Sequence, residues 1–430
     1  MAHRLRDGVF MTWTCPFCPL ACDHAGVRIV SGAQPLELQG ADCALARSKL
    51  AGFTSAPAEI VAEVDGQAAA LEAALAVAAQ RQAASRQPLF AGLGTDVAGM
   101  RALYPLACAT GAICDAAPGE ALMHGLRALQ DRGQFTATLA EVRTRADLIV
   151  FVGGLPLAVA PLLRERLGIG DPQVPQRHVV LLGPREGDAA TLAAWAGAGV
   201  TVETIALHGD LFDTVSLLDA LVAKRPAAAT AQLPEALRAL ADRLHAAHYA
   251  VLVGAPPLLP AQGALIVETV HRTVNELNRK TRAAALWIAG GNGVATANQV
   301  FTWLSGLPLR SRAGPRGLEH EPLRYGSLRL IAQGAVDALL WVASFDADAV
   351  PPDNDLPMIV LGPPALAAKV RRPGCVFISV STPGIGSAGH IFRTDGTVLM
   401  PLHAARPDAL PTVAAVMQGL LAQLPARRAA

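Results

Sequence analysis

Four cysteines near the start of the chain have the spacing of a metal site. Cys15, Cys18, Cys22 and Cys43 give the pattern C-x2-C-x3-C-x20-C. Four thiolates on short loops can hold a 4Fe–4S cluster or a tetrahedral zinc ion, because each needs four sulfur ligands at fixed distances. The three-residue gap differs from the paired C-x2-C knuckles of zinc ribbons. The spacing therefore favours a 4Fe–4S cluster, with zinc or a vestige without metal as the alternatives.

Other chemical groups are weaker candidates. The remaining cysteines, Cys108, Cys114 and Cys375, lie in apolar stretches, which is typical of buried small hydrophobic residues. The histidines show no H-x-x-x-H spacing, and the sequence contains no G-x-S-x-G elbow. A glycine-rich turn at 290–295 could cradle a phosphate, but a lone pattern of this kind is a weak signal. We therefore predict no catalytic residue.

The bulk composition argues against several classes of protein. The chain of 430 residues has 36 Lys+Arg against 35 Asp+Glu, which leaves no net field to steer nucleic acid or an anionic membrane. No apolar run reaches the length of a membrane span, and the first residues lack the apolar stretch of a signal peptide. These features predict a cytoplasmic protein without nucleic-acid or membrane partners.

An α/β framework must position these groups. Short apolar runs that end in glycine or proline alternate with helical stretches, which indicates parallel strands buried on both faces of doubly wound sheets. The predicted strands lie within 147–156, 179–182, 249–256, 286–289, 337–344, 358–361 and 376–380. The predicted helices lie at 68–84, 157–167, 233–247 and 260–281.

The first 55 residues differ from the rest of the chain. They carry the cysteine cluster, few helix signals and an alternating run at 27–30, so we predict a small antiparallel lobe. The predicted domains are a Cys-cluster lobe at 1–55, an α/β lobe at 56–88 with 285–400, a Rossmann-like lobe at 89–284, and a C-terminal segment at 401–430. Residues 226–234 are predicted to form a surface connection and 426–430 a frayed end.

Four separated sequence blocks resemble, in the same order, the B subunit of formylmethanofuran dehydrogenase, a molybdopterin-oxidoreductase-like family. That family has a C-P-F-C-x3-C-D element with a later C-A, a Q-x-x-G … T-L-x-E-V-(K/R)-x-R-A-D segment, an N-x-x-G-A-N-Q-V-x-T-W segment and a late P-G-I-x-x-x-G-x-x-x-R-x-D element. The corresponding blocks of this chain are 15–23 with 42–49, 130–133 with 138–147, 290–303 with 306–308, and 383–395.

The resemblance implies a multi-lobed molybdopterin-oxidoreductase-like fold. The family's B subunit carries a 4Fe–4S cluster and a tungsten or molybdenum pterin for redox chemistry. In the wider superfamily a basic residue lies between cluster and pterin, and Lys49, six residues after Cys43, matches it. The four cysteines would then be the cluster ligands.

Two departures from the family pattern affect the predicted activity. The family's metal-ligating cysteine or selenocysteine falls here on Met123 or Ala121, just before His124. A thioether is a weak ligand for tungsten or molybdenum, and a methyl group is none. Leu155 and Ala160 replace an asparagine and a histidine that hold the pterin nucleotide, so a pyrophosphate would lose hydrogen-bond donors. No molybdopterin or tungstopterin is therefore expected.

The resemblance then implies a B subunit that kept its fold and interfaces but lost its metallopterin. Methylotrophic bacteria have a related formyltransferase/hydrolase complex, in which a formyl group passes from tetrahydromethanopterin to a furan carrier and is released as formate. We expect a non-catalytic structural subunit of such a complex, with A-, C- and D-type subunits as partners. The alternative is a redox-active formylmethanofuran dehydrogenase B subunit with tungsten or molybdenum pterin and a 4Fe–4S cluster.

Overall fold

The structure of the chain is a computed structural model. It describes residues 11–29, 36–53, 56, 59–116, 119–225 and 234–425. Most of the predicted surface connection at 226–234, and all of the predicted frayed end at 426–430, lie outside these residues. The chain divides into two compact units: unit 1 is Met1–Gly119 with Gly290–Ala430, and unit 2 is Glu120–Ala289. The finer four-part division stays a prediction.

The described residues form nineteen strands. They are β1 Met11–Trp13, β2 Ala25–Arg28, β3 Glu37–Gln39, β4 Ala62–Val64, β5 Gln67–Ala68, β6 Pro88–Gly94, β7 Ile113–Cys114, β8 Leu148–Val152, β9 Arg177–Leu182, β10 Val200–Ile205, β11 Ala250–Gly254, β12 Ala283–Trp287, β13 Ser311–Gly314, β14 Gly317–His320, β15 Ala338–Ala343, β16 Met358–Gly362, β17 Cys375–Ser379, β18 Gly389–Phe392 and β19 Leu399–Leu402.

The same residues form fourteen α-helices. They are α1 Ala44–Ala51, α2 Leu71–Ala84, α3 Val97–Thr110, α4 Gly119–Arg132, α5 Leu139–Arg145, α6 Leu163–Arg166, α7 Asp188–Ala193, α8 Leu211–Val222, α9 Glu235–Ala246, α10 Gly263–Leu277, α11 Val294–Ser305, α12 Ser327–Ala332, α13 Ala367–Val370 and α14 Val413–Gln423. Within the described chain, no helix is long and apolar enough to cross a membrane.

Unit 2 is built on a five-stranded sheet in the order β10-β9-β8-β11-β12. All neighbouring strands of this sheet pair in parallel. Numbered from β8, the order reads 3-2-1-4-5, which is the doubly wound arrangement with its switch point between β8 and β11. Helices α8, α9 and α10 contribute buried apolar residues to a core against this sheet. The predicted strands at 147–156 and 249–256 are its two central strands.

Unit 1 contains a nine-stranded mixed sheet in the order β14-β13-β7-β6-β15-β16-β17-β4-β5. Its centre, from β7 to β17, is parallel, and antiparallel pairs close both edges. The runs predicted at 337–344, 358–361 and 376–380 are β15, β16 and β17, which are buried throughout. These continuous apolar runs therefore correspond to parallel strands that are buried on both faces, as predicted.

The start of the chain forms a three-stranded antiparallel sheet, β1-β2-β3, as predicted. The indole Nε1 of Trp13 donates a hydrogen bond to the carbonyl of Gly384 at 2.7 Å. The ring of Phe17 packs between those of Trp13 and Phe53, with centroids 6.0 and 6.3 Å away. This small sheet is therefore fixed to the fourth family-like block, 371 residues away along the chain.

Candidate functional site

The cysteine loop is tightly folded by its own backbone. The amide of Cys15 donates to the carbonyl of Cys22 at 2.9 Å, and the amide of Ala21 donates to the carbonyl of Cys18 at 3.2 Å. Ala21 adopts a positive φ of 41°, which gives this turn its shape. Cys43 lies directly before α1 and accepts a hydrogen bond from the amide of Arg47. The loop also contacts the fourth block, because the amide of Thr394 donates to the carbonyl of Pro19 at 2.8 Å.

All four predicted ligands are buried in this lobe of unit 1. Burial raises the pKa of the Cys15 thiol, and the nearby thiols of Cys22 and Cys43 raise it further. The thiols of Cys22 and Cys43 therefore both lie within electrostatic reach of the Cys15 thiol. Among the described residues, however, no three Cys, His, Asp or Glu side chains are grouped as metal ligands. The four-cysteine metal site stays a prediction.

Lys49 lies on α1 and binds two carboxylates of unit 1. Its Nζ is 2.5 Å from Oδ1 of Asp346 and 3.0 Å from Oδ2 of Asp348. Burial lowers the pKa of Lys49, but the hydrogen bonds and charges of the two aspartates outweigh it and raise the pKa overall. A second cation, Lys369, is 2.5 Å from Asp348, and the two lysines lower the pKa of Asp348 to about 2. Lys49 is thus held in a structural ion-pair network.

The glycine-rich turn at 290–295 is packed closely against its neighbours. A Cβ added to Gly293, whose φ is +79°, would lie 2.5 Å from the carbonyl oxygen of Thr95. The cavity beside the turn, lined by Gly94, Asn292 and Asp346 among others, has a volume of about 40 Å³. That volume suits about one water molecule, whereas small-molecule pockets measure roughly 300–1,000 Å³. The cavity beside this turn is therefore too small for a phosphate-bearing ligand.

In unit 2, the position expected for a metal ligand is occupied by a packed helix. Met123 lies on α4 and is buried. The ring of the adjacent His124 lies against Gly263 at the start of α10, where an added Cβ would be 2.6 Å from the ring. Arg132, at the end of α4, pairs with Glu268 of α10 at 3.3 Å. These residues therefore pack the two helices together.

The loop Gly153–Leu155 follows β8 at the switch point of the five-stranded sheet. Both glycines have positive φ values, 78° and 118°. The backbone amide of Leu155 donates to Oδ2 of Asp188 at 3.0 Å, and the amide of Arg185 donates to the same oxygen at 3.0 Å. A loop of this kind binds phosphate through its backbone amides. Here the carboxylate of Asp188 already accepts from the amide of Leu155. Its negative charge would repel a phosphate.

The remaining groups near that loop are used in packing. The guanidinium of Arg164 lies 5.9 Å from the ring centroid of Trp195, at cation–π distance. Ala160, which replaces the family's histidine, is fully buried. Sequence reasoning missed Asp188 because the residue is 33 positions away from Leu155. The sequence did show that Asp188 is an acidic residue shortly after the neighbouring strand β9. Loops at the carboxyl ends of adjacent parallel strands lie close together, so this position could have indicated the contact.

Comparisons with known proteins identify the family. No protein-family profile matches the chain. The B subunit of the formyltransferase/hydrolase complex Fhc of Methylorubrum extorquens is 31% identical over 370 residues, which cover 85% of this chain and 97% of that protein. The chain belongs to the Fhc B-subunit family. The predicted resemblance is therefore confirmed.

More distant relatives and a solved structure agree with this assignment. The B subunit of the tungsten-containing formylmethanofuran dehydrogenase 2 of Methanococcus maripaludis is 26% identical, covering 96% of this chain and 98% of that protein. A crystal structure of the complex FhcABCD from Methylorubrum extorquens, in complex with methylofuran, matches with a TM-score of 0.71 and 30% identity. The match covers 85% of this chain and 98% of that chain. The predicted α/β fold class is confirmed by this match.

Proposed function

We propose that the chain is a non-catalytic structural subunit of a formyltransferase/hydrolase complex in one-carbon metabolism. In such a complex a formyl group passes from tetrahydromethanopterin to a furan carrier and is released as formate. The observation that carries the proposal is the similarity to the Fhc B subunit over 97% of that protein's length. The A-, C- and D-type subunits would be the partners of this chain, in the cytoplasm, and would supply the reacting groups.

The loop Gly153–Leu155 is bound by a carboxylate of the chain itself, which supports a role without a pterin. Oδ2 of Asp188 accepts hydrogen bonds from the amides of Leu155 and Arg185. A pterin nucleotide at this loop would have to displace a carboxylate that accepts two backbone hydrogen bonds. The expected metal-ligand position falls on Met123, a weakly ligating thioether, or on Ala121, whose methyl group is no ligand. Redox chemistry on a metallopterin therefore has no support from these residues.

Reconstitution of the complex tests the proposal. The chain would be co-expressed with its A-, C- and D-type subunits, and the purified complex assayed for formyl transfer, formate release, metal content and viologen reduction. We expect the four subunits to co-purify, formate to be released, and viologen to stay oxidised. Omission of this chain is expected to prevent assembly. Stoichiometric tungsten or molybdenum, or viologen reduction with a formyl carrier, would instead establish the formylmethanofuran dehydrogenase alternative.

For the cysteine lobe we propose a structural metal, either a 4Fe–4S cluster or zinc. The support is the buried position of Cys15, Cys18, Cys22 and Cys43 in one lobe whose sheet has strands of only three or four residues. Metal ligation would stabilise a lobe with so little sheet of its own. Anaerobic absorption spectra with iron and zinc counts distinguish the two metals. Fewer than one zinc or four iron atoms per chain, in an anaerobically purified complex, would contradict the proposal.

A further inference from the structure

A cleft of about 750 Å³ opens at the amino ends of strands β8, β9, β10 and β11 in unit 2. The residues that lead into these four strands line it. The loop Gly153–Leu155 follows the carboxyl end of β8 and therefore lies at the opposite edge of the sheet. The volume lies within the range of small-molecule sites, roughly 300–1,000 Å³. The cleft is thus separate from the loop Gly153–Leu155.

The charged groups that line the cleft are mainly cationic. Three arginines, Arg145, Arg177 and Arg243, contribute to its walls. The acidic residue in the lining is Asp147, and both of its oxygens are already used: they accept hydrogen bonds at 2.8 Å from the amides of His248 and Tyr249. Positive charge concentrated in a concave surface attracts anions. Glu203, which is outside the lining, pairs with Arg243, so the three arginines still outnumber the two carboxylates and the charge favours an anionic ligand.

Two of the three guanidinium nitrogens of Arg243 have no hydrogen-bond acceptor among the described residues. Nη1 donates to Glu203 and lies 3.4 Å from Nε2 of His178. Nε and Nη2 are buried and have no hydrogen-bond acceptor among the described residues. These two nitrogens form the fork that binds a carboxylate or a phosphate bidentately. Buried donors without an acceptor are costly, so an anion that accepts from both would be bound favourably after a small movement of the side chain.

The other two arginines differ in exposure: Arg177 is buried and Arg145 is exposed. Arg177 is only 2% exposed, and its Nη1 and Nη2 donate at 2.6 Å to the carbonyls of Leu167 and Arg143. Its charge is therefore fixed at the wall of the cleft. Arg145 is exposed and, within the described chain, forms no ion pair with an acidic side chain. It can reach a second anionic group of a bound molecule.

We propose that this cleft binds a small polyanion with at least two carboxylate or phosphate groups. One group would accept from Nε and Nη2 of Arg243, and the second would pair with Arg145. Arg177 would add a fixed positive charge at the wall of the cleft. The proposal depends neither on the cysteine metal nor on the assembly role of the chain, because every residue that it uses lies within unit 2.

Calorimetric titration of the intact complex tests the proposal. The probes are inorganic pyrophosphate and citrate, each at constant ionic strength, because exposed charges are screened by salt. Arg243→Gln and Arg145→Gln are expected to weaken binding by roughly tenfold or more, since each removes a charge-assisted contact. Arg238→Gln is the matched control: Arg238 is exposed on the same helix α9 but does not line the cleft.

The pattern of results identifies the ligand class or rejects the site. Binding of pyrophosphate alone indicates a phosphate ligand, binding of citrate alone a carboxylate ligand, and binding of both a site that accepts either. The proposal is wrong if the wild-type complex binds neither probe, or if the two cleft variants bind as well as Arg238→Gln. Thermal unfolding of each variant checks the fold, and the exposed Arg145 provides a variant that leaves the core untouched.

Discussion

Asp188 and Leu155 are joined by a hydrogen bond of 3.0 Å, in which the backbone amide of Leu155 donates to Oδ2 of the carboxylate. The same oxygen accepts from the amide of Arg185. A carboxylate of the chain therefore accepts from backbone amides that a phosphate at this loop would need as its donors. The loop at the switch point is held by the chain itself and needs no ligand to fix its conformation.

The first prediction concerns this carboxylate. Asp188→Ala removes the acceptor of one partly buried and one exposed amide, so we expect the free energy of unfolding to fall by about 1 kcal/mol. Thermal or urea unfolding of the purified chain measures the change. Asp242→Ala, at an exposed position of α9, serves as the control and should change stability by less than about 0.5 kcal/mol. Equal stability of the two variants would contradict the structural role of Asp188.

The second prediction uses two glycines on neighbouring helices. A Cβ at Gly263 would lie 2.6 Å from the ring of His124, whereas a Cβ at Gly125 has no neighbour within 4 Å. Gly263→Ala should therefore destabilise the protein by roughly 1–3 kcal/mol through overpacking. Gly125→Ala should be neutral or stabilise α4 by up to about 1 kcal/mol. The double variant Gly263→Ala, His124→Ala should regain part of the loss, and failure to do so would place the strain elsewhere.

The third prediction is a pH dependence that arises from His271. This residue is 1% exposed, and its Nε2 accepts a hydrogen bond of 2.9 Å from Nε1 of Trp287. Burial lowers the pKa of His271 from 6.5 to about 4. Between these values the unfolded chain binds a proton that the folded chain does not. Stability should therefore decrease as the pH falls from about 6.5 to 4, by about 3 kcal/mol in all.

Substitution of His271 checks the origin of this dependence. His271→Gln removes this titrating group and should reduce the slope of the curve of unfolding free energy against pH between 4 and 6.5. His208→Gln, at an exposed position, should leave the curve unchanged. If the wild-type and His271→Gln curves have the same slope, other groups cause the dependence and the assignment to His271 is wrong.

The fourth prediction distinguishes two roles for Lys49. If the residue serves only the ion pairs with Asp346 and Asp348, Lys49→Met should destabilise the chain by about 1–2 kcal/mol, because it leaves the partly buried Asp346 without its cation. Formate release by the assembled complex should stay at the wild-type rate. Lys280→Met, at an exposed position, is the control for stability. A selective loss of activity without loss of stability would argue against the structural role.

The strands were the most predictable part of the fold. Runs such as Leu148–Val152 are wholly apolar and end at glycine, which is the pattern of a buried parallel strand. The helix predicted at 157–167 is wrong: the structure has a short 3-10 turn at Pro156–Ala158 and then only Leu163–Arg166. Pro161 lies between these segments, and proline removes a backbone donor and clashes with the preceding turn.

The contacts of the candidate site could not be predicted from local sequence. The sequence located the loop Gly153–Leu155 and the substitution at Leu155, but not the carboxylate of Asp188 that binds the loop. It also located Lys49, whose partners Asp346 and Asp348 lie almost 300 residues further along the chain. Such pairs depend on which loops the sheet order brings together, and the pattern of apolar runs does not determine that order.

The discontinuous course of unit 1 affects how the protein is made. Unit 2, Glu120–Ala289, is a continuous stretch of chain and can fold as soon as it leaves the ribosome. Unit 1 cannot complete its fold before its second half has been synthesised, because β15, β16 and β17 belong to the same sheet as β6. The indole of Trp13 finds its acceptor only once Gly384 has been synthesised. The lobe that holds the four cysteines therefore cannot complete its contacts with the rest of unit 1 before the last part of the chain has been synthesised.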